Sequence, residues 1–167
     1  MTTFQNREQS GPGQESVWDY PRPPVTRECD KKVRVIFDGK ILAETNRAIC
    51  VLETCHPPTY YLPPNDIDFS MLVVSEGKSS FCEWKGYAVY YDVVSNGSIA
   101  RNASWSYPDP NPNFSCLKDH LCIYAGAMEA CYVGQDLVIP QPGGFYGGWV
   151  TPDIVGPFKG IPGSSFW

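Results

Sequence analysis

The sequence predicts a mostly β protein with one short helix, and three observations support this fold class. Runs of alternating apolar and polar residues recur along the chain, which is the period of half-buried strands. Asp38-Gly39 and Asn96-Gly97, two strong hairpin-turn dipeptides, each separate a pair of such runs. Helical periodicity is scarce, and residues 113–120 are the segment that fits a short helix.

The predicted strands are short, rich in β-branched and aromatic residues, and bounded by turn residues. The run before Asp38-Gly39 and the run after it form the first hairpin, and the runs on either side of Asn96-Gly97 form another. The last two runs are predicted to pair with each other about Gly126. In chain order the predicted strands cover residues 33–37, 41–43, 48–52, 67–74, 87–94, 99–107, 122–124 and 130–133.

Composition divides the chain into three parts. Residues 1–16 are polar and contain Gly and Pro, which indicates a flexible leader. Residues 17–133 contain all the predicted strands and form the β domain. Residues 134–167 form a Gly/Pro/aromatic C-terminal extension, whose segment 140–167 is too apolar for a solvated linker. We expect this segment either to pack on the domain itself or to dock on a protein partner.

Charge and hydropathy exclude some partners. The formal net charge is −5, which disfavours nucleic-acid binding because such binding depends on Lys and Arg at phosphates. No apolar run approaches the roughly 20 residues that a membrane-spanning helix needs, so no membrane insertion is expected. The N-terminus lacks a signal-peptide core, and the cysteine count of seven is odd. Free thiols in the cytoplasm are therefore predicted.

The sequence predicts neither a zinc site nor a cofactor. There is no CxxC pair and the chain has only two His, whereas structural zinc needs four Cys or His ligands. No Walker or dinucleotide glycine motif is present. Asp66 and Asp68 are two residues apart, which would place both carboxylates on one face of a strand, as in a site that binds two metal ions. The Gly-Ser pair that accompanies such carboxylates in nucleotidyltransferases is missing upstream, so only half of that signature is present.

The best candidate site is the segment from Arg47 to Tyr61. Pro57 keeps His56 out of the helical region, so the backbone after the third strand is stiff and extended. Glu53 lies three residues before His56, and a carboxylate that orients an imidazole is typical of a general base. Arg47 on the same strand is suited to bind an anion. A rigid corner in which Glu53 and His56 satisfy buried backbone groups is the structural alternative.

Cys55 and Lys85 are two further candidates for the site. Cys55 is adjacent to His56, but neighbouring side chains on an extended chain point to opposite faces, so a thiolate nucleophile is not favoured. Lys85 precedes Gly86 at the start of a strand and has the reach to cross a pocket. An ordinary solvated lysine is the alternative interpretation of Lys85.

Four motifs of the chain are distinctive: Trp18-Asp19-Tyr20-Pro21-Arg22-Pro23-Pro24, Val51-Leu52-Glu53-Thr54-Cys55-His56-Pro57-Pro58-Thr59-Tyr60-Tyr61, Lys85-Gly86-Tyr87-Ala88-Val89-Tyr90-Tyr91 and Trp105-Ser106-Tyr107-Pro108-Asp109-Pro110. Together they resemble the domain-of-unknown-function 427 family over roughly residues 17–133. The residues after Gly134 resemble extensions in cyanobacterial and related photosynthetic members. Where this chain has Cys55, members of that family usually carry Ser.

This resemblance implies a β-tent, in which two small antiparallel sheets lean together and form a pocket at their open side. The family is sometimes labelled nucleotidyltransferase-like, and this fold is similar to that of methionine sulfoxide reductase B, here without zinc cysteines. The signature of the family strengthens the functional interpretation of five positions, which are Arg47, Glu53, His56, Tyr60 and Lys85.

Three functions remain open from the sequence. The first is a domain that binds a small polar or anionic ligand through Arg47 and Lys85, with Tyr60, Tyr61 and Trp105 as aromatic walls. The second is an enzyme that uses Glu53 and His56 as catalytic acid and base on a nucleotide or a phosphorylated metabolite. The third is an interaction module that docks a protein partner through the aromatic extension.

Overall fold

A computed structural model of the protein describes residues 7–167. Its regular structure is almost entirely β, and helical segments in this range are short 3-10 turns. The strands are β1 Glu15–Ser16, β2 Val25–Glu28, β3 Val33–Phe37, β4 Lys40–Thr45, β5 Ile49–Leu52, β6 Thr59–Tyr61, β7 Leu72–Cys82, β8 Gly86–Ser95, β9 Ser98–Ser106, β10 Leu121–Ile123, β11 Ala130–Val133, β12 Asp136–Leu137, β13 Ile139–Pro140, β14 Trp149–Val150 and β15 Ile154–Val155.

Two four-stranded antiparallel sheets and one three-stranded sheet make up the domain. The strand orders are β12-β11-β3-β4, β10-β9-β8-β7 and β2-β5-β6. The chain reverses at Asp38-Gly39 and Asn96-Gly97, where all four residues have positive φ, as a two-residue hairpin turn of the primed type requires. The prediction of a mostly β fold built from small antiparallel sheets is confirmed.

Two predicted elements are corrected. Of the predicted strand 67–74, only residues 72–74 are strand, because β7 begins at Leu72. A 3-10 turn occupies Phe69–Met71, and another, Pro64–Asp66, immediately precedes the segment. The turn chemistry explains the change, since Pro occupies the first position of one turn and the Asp68 carboxylate caps the other by accepting from Ser70 N. The predicted last pair is also wrong, because β10 pairs with β9 while β11 pairs with β3 in the other sheet.

The predicted short helix is present as a 3-10 helix at Pro112–Leu117. It begins one residue before the predicted segment, with Asn111 as the N-cap and Pro112 at its first position. Phe114 departs from helical dihedrals within it.

The first and last described segments pack together beside the domain. β1 pairs in parallel with β15, and Glu8 N donates to Gly156 O at 3.0 Å. The predicted flexible leader comprised residues 1–16; residues 1–6 lie outside the described residues, and residues 7–16 make these contacts with the extension. Within residues 7–167, no helix has the length and apolar character to span a membrane.

The extension is anchored by one aromatic side chain. Trp149 in β14 is 1% exposed and stacks on Tyr60 with ring centroids 4.9 Å apart. Its indole Nε1 donates to Ile123 O at 2.9 Å, so both the apolar face and the polar edge of the ring are satisfied. The chain between β13 and β14, residues 141–148, is thereby held against the domain.

The buried residues form two clusters. The larger one fills the space among β3, β4, β5 and the extension, and it includes Trp149. The smaller one is rich in aromatic side chains and lies against β8, β9 and β10. Its members are Val51, Tyr61, Ala88, Tyr90, Trp105, Tyr107, Phe114, Leu117 and Cys122. The aromatic cluster forms the floor of the cavity described next.

Candidate functional site

A cavity of about 1050 Å³ opens between the sheet β10-β9-β8-β7, the turn after β5 and the extension. Its aromatic lining residues are Tyr61, Phe81, Trp84, Tyr90, Trp105, Tyr107, Tyr124, Phe145 and Tyr146. Its charged lining residues are Lys78, Lys85, Arg101 and Lys159 against Glu53 and Glu83. The wall therefore carries an excess of positive charge, in a chain whose net charge is −5.

The turn after β5 places Glu53 and His56 in this wall. His56 N donates to Glu53 O at 3.0 Å, and Cys55 adopts a positive φ of 67° between them. The side chains of His56 and Glu53 are 15% and 25% exposed, and His56 Nε2 lies 3.8 Å from Glu53 Oε2. This separation is longer than a hydrogen bond. Arg22 Nη2 lies 3.4 Å from the same carboxylate oxygen.

Gln141, from the extension, fixes the orientation of the His56 ring. Its Oε1 accepts from Gly148 N at 3.0 Å, and its Nε2 donates to Lys159 O at 2.9 Å. These two backbone groups determine which end of the amide is nitrogen. Gln141 Nε2 also lies 3.0 Å from His56 Nδ1. Since an amide nitrogen only donates, Nδ1 accepts, and the proton of the neutral ring is on Nε2.

The environment keeps His56 uncharged. Burial lowers the pKa of His56 to about 4, and the cations Lys159, Arg22 and Lys85 act in the same direction. The ring of Tyr146 lies edge-on to His56 with centroids 5.0 Å apart. We call His56, Glu53, Gln141 and Tyr146 the histidine cluster.

Lys85 lies in another part of the same wall. It is half-buried and takes part in no ion pair among residues 7–167. Its Nζ is 5.8 Å from the ring centroid of Tyr61 and 5.7 Å from that of Tyr107, within cation–π range. The turn that carries Lys85 is held by Asn111, whose Nδ2 donates to Trp84 O at 2.9 Å.

The hydroxyl of Tyr61 is buried without a hydrogen-bond partner in the described chain. The Cys122 thiol is next to it, and burial raises the pKa of both groups. A thiol is a weak partner whose geometry here falls short of a hydrogen bond, and an unsatisfied buried hydroxyl is unfavourable. We call Lys85, Tyr61 and Tyr107 the lysine cluster.

Of the residues predicted for the site, Glu53, His56, Tyr61, Lys85 and Trp105 line the cavity. The structure does not bring the other two there, which corrects the predicted pocket. Arg47 pairs with Asp66, its Nη2 lying 3.1 Å from Oδ2, because the 3-10 turn at Pro64–Asp66 presents that carboxylate. Tyr60 lies on the opposite face of β6 from Tyr61, beneath Trp149.

The surroundings of Cys55, Asp66 and Asp68 do not favour nucleophilic or metal chemistry. Burial raises the pKa of the Cys55 thiol. Asp66 accepts from Thr45 and Arg47, and Asp68 accepts from Ser70, so the two carboxylates do not share a strand face. No group of three or more His, Cys, Asp or Glu with the geometry of a metal site occurs in the part of the chain that the structure describes.

Sequence reasoning missed the contribution of the extension to the site. Gln141, Tyr146 and Lys159 line the cavity. Gln141, which contacts His56, lies 85 residues after it along the chain. The aromatic content of the extension signalled packing, but nothing marked Gln141. Paired glycines were the remaining signal: a Cβ at Gly147 would overlap the Trp105 indole, and one at Gly148 would lie 2.6 Å from Pro57 O.

A family model described as "Domain of unknown function (DUF427)", with the short label NTP_transf_9, matches residues 25–134. This match covers more than half of the chain and includes both Lys85 and His56. It ends before Gln141 and Tyr146. A search of curated proteins finds no match.

Proposed function

Because the chain belongs to the DUF427 family, whose description states no activity, we propose its function from the cavity: it binds a small ligand with an anionic group, which Lys85 contacts. The observation that carries the proposal is that Lys85, a half-buried residue in the cavity wall, pairs with no carboxylate among residues 7–167. A cation that is partly removed from water is unfavourable unless it is paired. A ligand anion would supply the missing partner.

The surroundings of Lys85 support an anion that is attached to an organic body. Nine aromatic side chains line the cavity, and such walls favour flat or apolar ligand groups. The ring of Tyr61, whose centroid is 5.8 Å from Lys85 Nζ, is part of the aromatic wall beside the ammonium group. Lys78, Arg101 and Lys159 add positive potential to the wall, which attracts anions to the cavity.

The acid/base alternative has less support from the geometry. A general base needs a ring nitrogen with a free lone pair, whereas His56 Nδ1 accepts from Gln141 and Nε2 carries the proton. A general acid at neutral pH needs a protonated ring, whereas burial lowers the pKa of His56 to about 4. The alternative of a protein-interaction module requires an extension whose aromatic anchor is available to a partner. Trp149, the residue that anchors the extension, is instead buried within this chain.

The proposal is tested with ligand pairs that differ only in a phosphate. We expect adenosine monophosphate or glucose 6-phosphate to raise the melting temperature of the wild type in a thermal-shift assay, and adenosine or glucose to leave it unchanged. Lys85→Met should abolish the shift. Lys118→Met, which replaces an exposed lysine, should retain it. Equal shifts from the charged and uncharged members, or a shift that survives in Lys85→Met, would refute the proposal.

We also propose that the protein works in the cytoplasm, because all seven cysteines are free and free thiols persist in a reducing compartment. The test is cell fractionation with the chain detected by antibody. Recovery in an oxidising compartment with the thiols paired would contradict it.

A further inference from the structure

We propose that the histidine cluster recognises a hydroxyl group of the ligand, and that Gln141 is the positioning residue which prepares His56 for this contact. The inference rests on the proposed function, since it assigns a second contact to the ligand that Lys85 holds. It adds a chemical class: an anionic ligand that also carries a hydroxyl group.

The gap between His56 and Glu53 is the first observation. The two groups are 3.8 Å apart at their closest atoms, too far for a direct hydrogen bond. Both are partly exposed to the same cavity. His56 Nε2 is a donor, because Gln141 occupies Nδ1, while the Glu53 carboxylate only accepts.

A hydroxyl is the simplest group that satisfies both sides. Its oxygen accepts from Nε2–H while its proton is donated to the carboxylate. A carbonyl would leave Glu53 without a donor, and an ammonium group would leave the Nε2–H without an acceptor. Arg22 Nη2 lies 3.4 Å from Glu53 Oε2 and pairs with this carboxylate, and hydrogen bonds to a charged group are the stronger ones.

The second observation is how firmly Gln141 is held. Its side chain is 4% exposed, and three groups fix it: Gly148 N, Lys159 O and His56 Nδ1. Reversing the amide would break the first two contacts. The backbone of the extension therefore determines which nitrogen of the His56 ring carries the proton. Gln141 lies outside residues 25–134, the range of the family match. Recognition of the hydroxyl is therefore a property of the extension acting on a residue of the matched domain.

The third observation is the local charge. Lys159, Arg22 and Lys85 all disfavour a cationic imidazole, and Glu53 is the acidic group that faces it. A neutral ring keeps one defined donor, whereas an imidazolium would donate from both nitrogens and clash with the Gln141 amide.

The first experiment measures binding of two probe pairs by calorimetry: adenosine monophosphate against its 2′,3′-dideoxy counterpart, and glycerol 3-phosphate against propyl phosphate. In at least one pair we expect the hydroxylated member to bind on the order of tenfold more tightly, as one hydrogen bond to a charged group provides. His56→Phe should remove this preference while it retains phosphate binding. Lys118→Met, at an exposed lysine outside the cavity lining, should leave the preference intact.

The outcomes separate the two proposals. Equal binding of both members in both pairs overturns the hydroxyl inference and leaves the proposed function standing. Failure of every phosphate probe to bind overturns the proposed function, and the inference with it.

The second experiment needs no ligand and addresses Gln141. In 15N-labelled protein at pH 7, we expect the NMR shifts of His56 to show an unprotonated Nδ1 and a protonated Nε2. Gln141→Ala should abolish this tautomer preference, and Gln141→Glu, in which one end of the side chain no longer donates, should reverse it. A wild-type ring protonated on Nδ1, or on both nitrogens, overturns the inference.

Discussion

The histidine cluster and the lysine cluster in the cavity wall differ in how far their polar groups find partners within the protein. In the histidine cluster, the Gln141 amide contacts Gly148 N, Lys159 O and His56 Nδ1 within the protein. In the lysine cluster, Lys85 has no ion pair and the Tyr61 hydroxyl has no partner among residues 7–167. Contacts within the chain therefore orient the first cluster, whereas two polar groups of the second have no partner in the described residues.

The difference also follows chain position. The lysine cluster lies entirely within residues 25–134, the range of the family match, whereas the histidine cluster depends on Gln141 and Tyr146 from the extension. We infer that the matched domain provides the anion contact and that the extension defines the remainder of the site. Four predictions test this division.

The largest effect is expected from Trp149→Ala. The substitution removes a buried indole, its stacking on Tyr60 and its bond to Ile123 O, and such truncations cost about 3–5 kcal/mol. Denaturant unfolding should show this loss, and the tautomer of His56 should lose its definition because Gln141 is no longer held. Phe166→Ala, at a 97% exposed ring of the same extension, should change stability little. A loss as small as that of the control would mean that Trp149 does not anchor the extension.

The pH dependence of stability, compared between the wild type and a His56 variant, probes the histidine cluster. Unfolding returns His56 from a pKa of about 4 to the ordinary 6.5, so the unfolded chain binds the proton first as the pH falls. Stability should therefore decrease between about pH 6.5 and pH 4, by about 1–3 kcal/mol for this group. His56→Gln should lose less stability over this range than the wild type, measured by urea unfolding. His120→Gln controls for the removal of a histidine, and coincident curves for all three proteins would contradict the prediction.

An effect of similar size is expected from Gly147→Ala. The added Cβ would overlap the Trp105 indole, so residues 141–148 must shift, at a cost of about 1–3 kcal/mol. Gly126→Ala is the matched control, because its Cβ would meet Pro140 Cγ at an ordinary 3.7 Å. Thermal unfolding compares the two, and similar stabilities would show that the close approach to Trp105 is not required.

The smallest effect, with opposite signs, is expected from two tyrosines. Tyr61→Phe removes a buried hydroxyl without a partner, so stability should stay the same or rise by about 1 kcal/mol. Tyr20→Phe removes a hydroxyl that donates to Glu15 Oε1 at 2.7 Å, so stability should fall by about 1–2 kcal/mol. Denaturant unfolding of both variants decides, and a clear loss in Tyr61→Phe would show that its hydroxyl is satisfied within the protein.

The elements that the sequence predicts well are those that local chemistry specifies. Asp38-Gly39 and Asn96-Gly97 demand hairpin turns by themselves, and β3, β8 and β9 follow from alternation next to them. The segment 67–74 has the apolar pattern of a strand, but the prolines before it and the Asp68 cap favour 3-10 turns at its start. Turn chemistry outweighed a short apolar pattern there.

The sequence indicated three residues that line one cavity, but not their tertiary partners. Glu53 and His56, in the stiff segment after β5, and Lys85 all line it. The capture of Arg47 by Asp66 and the contact of Gln141 with His56 depend on tertiary pairing across 19 and 85 residues. Side-chain contacts of this separation have no local signal in a single sequence.

The parallel pairing of β1 with β15 has a kinetic consequence. It joins Glu15 to Ile154, and closing a long loop is entropically costly before its contacts form. We therefore expect the hairpins β3-β4 and β8-β9 to form early in folding, and this pairing to form late and to open first in native-state hydrogen exchange.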